Sequence, residues 1–554
     1  WSNLMANVNA FYISQSYSSA WISTYTVAPP VQMGVNSTNY RPYVNWKTTS
    51  WLPDVRALAK LAGYDTADYD LEIVHTYLPN EPSGGGAVGS GVALHGGKGI
   101  WLNYSNTAAR ITPATPHEIG HNLGAFHCTG FSSSSLFYPS KAGFWADEYG
   151  GAFDLMGFGS GPHADCCAYY KNYFGWLPDA MLAHAATSGQ YRIHAFDQGA
   201  LVTGQVYAIR IQRDPSNSFW FEFRQAVTDN LWSMNGLLAY GGGEYVLSSA
   251  RAPRLLDMTP GSHGPFFSPN PQLNGGATMS DAALLLGRTF SDANAGIHVT
   301  PFRTGGTTPE SLDVAIQFGP FPGNRAPVLS VAASTATPQT NAPVTFTATA
   351  SDPDGDELAY YWEFDDPGAP LASGIRPFGT GQAGSDARLR TTATNIWSSN
   401  GVFLARCTAT DMRGGRTIAS ATVTVGNGSG LTIRGTVRDE LGQPLAGAVV
   451  SNWRTGSPII QFGSTNLVAS GETASNGEYV IRASANTTYK LIARHNGRSF
   501  VCNTPGGSET GTVAVAATSI SNVDFTRTNL TCTIGGIVYL AGTGRTYKPE
   551  TDGA

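Results

Sequence analysis

The sequence predicts a multidomain chain, an α/β domain followed by all-β sandwich domains. Three observations predict it. At 554 residues the chain is too long for one hydrophobic core. Helix-period and buried-strand patterns mix only in its first third, which marks an α/β unit. From about residue 179 onward, short alternating runs separated by Gly, Pro and Asn take over, the pattern of sandwich strands.

Composition narrows the class. Only 13% of residues are charged, against roughly a quarter in an ordinary globular protein. A surface built from hydroxyls and amides instead suits a secreted, β-rich protein. The net charge of −6 leaves no basic patch, which excludes nucleic acid and anionic membrane as partners. No apolar run approaches a membrane span. The chain opens at Trp1 with no signal-peptide pattern, so a processed form is expected.

Within residues 1–178 an N-terminal strand is expected over 8–13 (VNAFYI), then an amphipathic helix over 52–61 stopped by Gly63, then a buried strand over 71–77. A glycine-rich stretch, 82–98, precedes the apolar run at 100–104. Residues 115–127 follow, and they read HExxHxxGxxH, with His117, Glu118, His121, Gly124 and His127 at the fixed positions. On a helix His117 and His121 share one face, and Glu118 lies beside them. Gly124 suits the left-handed conformation that ends a helix, and the turn it allows brings His127 round as a third nitrogen donor. Three neutral imidazoles leave a fourth position open, the ligand set of a catalytic Zn²⁺ site. Thr115 as N-cap and Pro116 at the first helical position would start the helix at the motif itself.

Downstream, YGGAFDLMGF (149–158) places Met156 in a Gly-flanked turn. The two patterns together resemble the metzincin zinc metalloproteases and their Met-turn. Within that clan the chain resembles the gametolysin-like peptidases, on YDLEIVHTYLP (69–79), GGKGIWLN (96–103), KNYFGWL (171–177), FWFEFRQ (219–225), LLDMTPG (255–261) and DAALLLGRTFSD (281–292). The match spans roughly the first 320 residues. It departs at Cys128, where a small non-thiol residue is the pattern. The resemblance implies an α/β metzincin-like catalytic domain and a zinc-dependent endopeptidase. Its zinc ligands would be His117, His121 and His127, its general base Glu118, and its hydrophobic floor Met156. It also implies that the stretch ending in 100–104 forms the edge strand to which a polypeptide or glycoprotein substrate adds itself. Tyr149, Tyr169 and Tyr170 all remain open as oxyanion stabilisers.

Six cysteines cluster in a way that suggests an oxidising compartment. Cys128 follows the histidine motif and Cys166 and Cys167 follow the Met-turn, segments that a shared metal would draw together. A disulfide from Cys128 to Cys166 or Cys167 is therefore expected, with a cysteine metal-ligand set as the rival reading. Cys502 and Cys532 are a second candidate pair. Cys407, in an alternating run, reads as a buried free thiol.

Residues 179–322 read as a β-sandwich completing the peptidase unit, and 319–327 as a linker. Residues 323–427, with SDPDGDELAYYWEFD (351–365) and ATDMRGG (409–415), resemble a PKD domain, an immunoglobulin-like sandwich. Asp352, Asp354, Asp411 and Asn324 offer it either hard oxygens for Ca²⁺ or Asx-turn side chains that shape a loop. Residues 428–527 resemble a carboxypeptidase regulatory-like, prealbumin-like sandwich. At 528–554 a tail or the start of a further β module is expected, because TIGGIV (533–538) echoes TIRGTV (432–437). The whole reads as a secreted or cell-surface zinc endopeptidase whose C-terminal modules hold it on an insoluble extracellular polymer or cell surface. The alternative is an adhesin or surface-structure protein retaining an inactive protease fold.

Overall fold

A computed structural model describes residues 2–34, 51–76, 91–103, 108–132, 145–147, 149–157, 159, 164–228, 230–242, 252–259, 279, 281–364, 386–428, 430–454, 467–474, 476–495, 500–504 and 510–528. The chain is multidomain and mostly β-sandwich, with few helices.

The N-terminus is a helix, α1 (Ser2–Gln15), and not the strand expected over 8–13. Its buried positions are Met5, Val8, Tyr12 and Gln15, three and four apart, so one helical stripe faces inward. The tie that holds it is remote in sequence, for the Tyr12 hydroxyl donates to the carbonyl of Pro116 at 2.8 Å. Helix α2 (Trp51–Leu61) buries Leu52, and Gly63 follows it at φ +91°. Strands β1 (Ile73–Thr76), β2 (Gly91–Ala93) and β3 (Ile100–Asn103) pair in the order β1–β3–β2. The run at 100–104 was expected at the edge, yet β3 is central, parallel to β1 and antiparallel to β2. The physical reason lies in its composition: Ile100, Trp101 and Leu102 are all fully buried, as in a strand covered on both faces. Among the described residues the two edges are β1 and β2.

Helix α3 (Ala108–Asn122) carries the motif. It starts seven residues before Thr115, so Thr115 and Pro116 lie in its interior and neither caps it. Proline there forfeits a backbone hydrogen bond, and packing against α1, β2 and β3 overrides that local preference.

After α3 come β4 (Thr129–Ser132), β5 (Trp145–Asp147), α4 (Ala168–Tyr173), β6 (Leu182–His184), β7 (Gly189–His194), β8 (Ala208–Asp214), β9 (Asn217–Glu222), α5 (Leu231–Met234), β10 (Gly236–Gly242), β11 (Arg254–Leu256), β12 (Leu284–Leu285), β13 (Phe290–Asp292), β14 (Ile297–Thr304) and β15 (Ser311–Phe318). An eight-stranded sheet runs β5–β4–β11–β10–β9–β8–β6, with β12 on β10, and a four-stranded sheet runs β13–β14–β15–β7. The large sheet crosses the boundary read at 178, because β4 pairs with β11 in parallel, Thr129 opposite Arg254 and Phe131 opposite Leu256. The histidine-bearing segment and the sandwich that follows thus share one sheet and two hydrophobic clusters.

Two sandwiches complete the chain. In the first, β16 (Val328–Ala333), β17 (Pro343–Ser351), β18 (Ala359–Glu363), β19 (Thr392–Ile396), β20 (Gly401–Thr410) and β21 (Arg416–Val425) form sheets β16–β17–β19 and β18–β20–β21 around Trp362 and Trp397. In the second, β22 (Leu431–Arg438), β23 (Val449–Arg454), β24 (Leu467–Glu472), β25 (Glu478–Ala483), β26 (Thr487–Arg494), β27 (Phe500–Cys502), β28 (Thr510–Val515) and β29 (Phe525–Arg527) form sheets β25–β22–β29–β27 and β24–β23–β26–β28. The first sandwich is not a loosely tethered bead. Its Ala359, Ala387 and Met412 sit in the hydrophobic core of the N-terminal unit, and Gly287 lies so close to the carbonyl of Tyr360 that no Cβ would fit.

Candidate metal centre

The C-terminal turn of α3 and the loop after it set the geometry. Gly124 takes φ +95°, and the amide of Ala125 reaches back to the carbonyl of Gly120 at 3.0 Å. The chain reverses there, and His127 returns to face His121, with their Nε2 atoms 3.2 Å apart. One donor nitrogen from each of His117, His121 and His127 lies within 4.8 Å of the others; among the described residues no other three His, Cys, Asp or Glu donors converge in this way.

Two backbone carbonyls orient the rings. His117 Nδ1 donates to the carbonyl of Leu155, and His121 Nδ1 donates to that of Ala125, both at 2.8 Å. A carbonyl only accepts, so each Nδ1 carries the proton and each Nε2 keeps its lone pair, the tautomer a metal-ligating histidine needs. Burial, reinforced by the neighbouring imidazoles, holds His117 down to about 4 and His121 to about 3, so both rings are neutral at pH 7. The donor set fits Zn²⁺: nitrogens about 2.0–2.1 Å from a tetrahedral ion stand about 3.3–3.4 Å from each other, close to the His121–His127 separation of 3.2 Å.

Glu118 is 6% exposed, and its Oε2 is buried with no hydrogen-bond partner. Burial pushes its carboxyl up to about 8. A carboxyl so placed exchanges a proton near neutral pH, and a cation held by the histidines would draw its pKa back down.

The turn around Met156 is tied in from several sides. Asp154 accepts from the amides of Met156 and Cys167, both at 2.7 Å, and Cys128 N donates to the Met156 carbonyl at 2.8 Å. The Met156 sulfur fills the space beside Gly120 where any side chain would stand, so the methionine floors the helix that carries the histidines.

Of the three tyrosines, Tyr170 is buried and donates to the Phe126 carbonyl, bracing the His127 loop. The Tyr169 ring packs edge-on to Trp220 at 5.5 Å. Tyr149 is the one at the site, its ring centroid 4.1 Å from that of His127 and 6.2 Å from that of His117. Sequence reasoning missed His95, whose Nε2 donates to the Gly124 carbonyl at 2.8 Å while its ring stacks on Phe126 at 3.7 Å. It also missed Asp154, although an Asp two residues before the methionine is an Asx-turn signal.

The cysteines depart from expectation. Cys128, Cys166, Cys167, Cys407 and Cys502 are all buried free thiols, so the expected disulfide from Cys128 to Cys166 or Cys167 is not formed. The approach itself is there, since the Cys128 and Cys167 thiols hydrogen-bond to each other. Burial pushes the Cys128 thiol up to about 11, which keeps it protonated. Cys532 lies outside the described residues, and with it the pair to Cys502.

At the proposed calcium turn, Asp352 Oδ1 accepts from the amides of Asp354 and Asp356 at 2.8 and 3.1 Å. Asp354 pairs with Arg325 at 2.7 Å, and Asp411 accepts from Asn324 Nδ2 at 2.7 Å and from the amides of Arg413 and Gly415. These bonds are those of turn-shaping side chains, and Asn324 presents its amide nitrogen, not its oxygen, to Asp411.

Residues 328–425 match the PKD domain family, and residues 432–528 match the carboxypeptidase regulatory-like domain family. The two C-terminal sandwiches are a PKD domain and a carboxypeptidase regulatory-like domain. No curated protein sequence matches the chain. Among solved structures, it is similar to the PKD domain of an M14-like peptidase from Thermoplasmatales archaeon SCGC AB-540-F20, at 17% identity over 19% of this chain and 100% of that one, with TM-score 0.14. It is also similar to BcpA, the major pilin subunit of Bacillus cereus, at 11% identity over 62% and 100% of the chains, with TM-score 0.14. A third likeness is to carbohydrate-binding modules of the β-sandwich superfamily, at 19% identity over 37% and 84%, with TM-score 0.15. Both family matches begin after residue 327, so the histidine centre stands on its own geometry. Among the described residues no helix is long and apolar enough to cross a membrane.

Proposed function

We propose that the chain is a secreted zinc-dependent endopeptidase with a metzincin-like catalytic unit, its PKD and carboxypeptidase regulatory-like domains serving location. The observation that carries this reading is the convergence of three histidine donor nitrogens next in the chain to a buried carboxyl with an unpartnered oxygen. Zn²⁺ bound there supplies Lewis acidity, polarising a carbonyl and acidifying water. Glu118 Oε2 takes a proton from the attacking water and hands it to the leaving amine. Tyr149, against His127, is the tyrosine positioned to steady negative charge on the carbonyl oxygen. Strand β2, at an edge of its sheet among the described residues, offers a backbone onto which an extended polypeptide or glycoprotein segment adds as a strand.

Cleavage profiling of a peptide mixture, with zinc content measured, tests this. About one zinc per chain and discrete cleavage, both lost in His121→Ala, are expected. A zinc-loaded chain that cuts nothing would favour the adhesin reading instead.

A further inference from the structure

Resting on that reading, we infer that Gly91 is a positioning residue for the general base: its missing side chain is the space in which the Glu118 carboxylate stands. Residues 91 and 93 of β2 face α3. Ala93 packs in the core with Ile119, while Val92 packs on the other face against Leu52 and Trp101. A Cβ built on Gly91 would lie 2.8 Å from both Cγ and Oε1 of Glu118 and 3.0 Å from its Cδ, closer than side-chain carbons tolerate.

The backbone of Gly91 does not account for the glycine. It is not among the residues with positive φ, so alanine would meet no backbone strain there, and among the described residues the nearest atoms that oppose it are those of Glu118. Nor can the helix back away, because on its far side Gly120 already lies against the Met156 sulfur. Helix α3 is clamped between β2 and the methionine turn, and a methyl group at 91 meets the Glu118 side chain first. An error of about 1 Å in a reacting group costs on the order of a hundredfold in rate. His117 and His121 are held separately, by Leu155 and Ala125, so the metal site should not feel the change.

Two measurements on the full chain test this. Activity comes first: Gly91→Ala is expected to keep its zinc, to hold KM within about threefold, and to lose at least about tenfold in kcat. Thermal unfolding of Gly91→Ala in the parent and in a Glu118→Ala background comes second. The methyl group should lower Tm by about 3 °C or more in the parent and should cost little where Glu118 has been cut away, and a Gly91→Ala chain that folds only in that background gives the same support. An equal Tm penalty in both backgrounds, or an active parent whose kcat ignores the substitution, overturns the role of Gly91 alone. A parent with no peptidase activity overturns the peptidase reading and this role with it.

Discussion

Arg288 of the N-terminal unit pairs with Glu472 of the carboxypeptidase regulatory-like domain at 3.3 Å, across 184 residues of chain. The same carboxylate takes Arg416 of the PKD domain at 3.2 Å, so one side chain joins all three parts of the molecule. The three side chains are 9%, 15% and 12% exposed, and removing the anion would leave two guanidinium groups facing each other with little water. Breaking a buried pair from one side costs about 3–5 kcal/mol. Glu472→Ala should therefore split thermal unfolding, with the last sandwich melting ahead of the rest in calorimetry. A single unchanged transition would show that the junction is not coupled.

Truncation near Pro322 tests the same seam from the other side. It strips Ala359, Ala387 and Met412 from the shared core and the Arg388 guanidinium from the face of Phe302, 4.3 Å away. The remaining unit should melt several degrees lower than in the full chain. Where it stays folded, kcat/KM on a short soluble peptide should remain within a few-fold, since the histidines, Glu118 and Met156 all precede the cut. Unchanged melting would mean that the seam contributes no stability.

Met156 is 1% exposed under Gly120, so Met156→Ala opens a cavity and should cost about 2–5 kcal/mol. Met156→Leu keeps most of the volume and should cost less than about 1.5 kcal/mol. Because Leu155 and Cys128 are tied to the same turn, zinc affinity should fall with stability in the alanine variant and hold in the leucine one. Chelator titration monitored by unfolding reads both.

An acid-sensitive element lies in the second sheet. Asp313 on β15 accepts from Arg192 on β7 at 2.7 Å and from Arg303 on β14 at 2.6 Å. Burial alone would raise its carboxyl, but the hydrogen bonds from the two arginines outweigh it and hold the pKa below the usual carboxylate value. A carboxyl depressed on folding adds stability above its unfolded pKa, and that stability is lost as pH falls through the folded value. Asp313→Asn should thus lower Tm at neutral pH, and its gap to the parent should narrow below about pH 4. A gap independent of pH would contradict the assignment.

What the sequence disclosed follows from how far apart the partners lie. His117, Glu118, His121, Gly124 and His127 fall within eleven residues, so helix geometry and one glycine turn suffice to bring them together. Helix α1 was misread because its anchor, the Pro116 carbonyl, is 104 residues from Tyr12. The central place of β3 depends on its pairing with both β1 and β2, and the sheet crossing residue 178 depends on β4 meeting β11. Neither register is written in a local pattern. Clustering brought Cys128 near Cys167 correctly, but proximity does not determine whether two thiols oxidise. The PKD and regulatory-like domains were recognisable from local motifs such as 351–365 and 432–437, whereas the Gly287–Tyr360 approach that docks the first of them was not.

The most direct measurement is kcat/KM for the parent and Glu118→Gln on one peptide substrate, at matched zinc content. The substitution leaves the three histidines and their carbonyl partners in place and removes the proton acceptor alone. Equal zinc in both chains is expected, with turnover in the variant lower by about two to four orders of magnitude. Equal turnover in the two chains would contradict the role of Glu118 and with it the proposed activity.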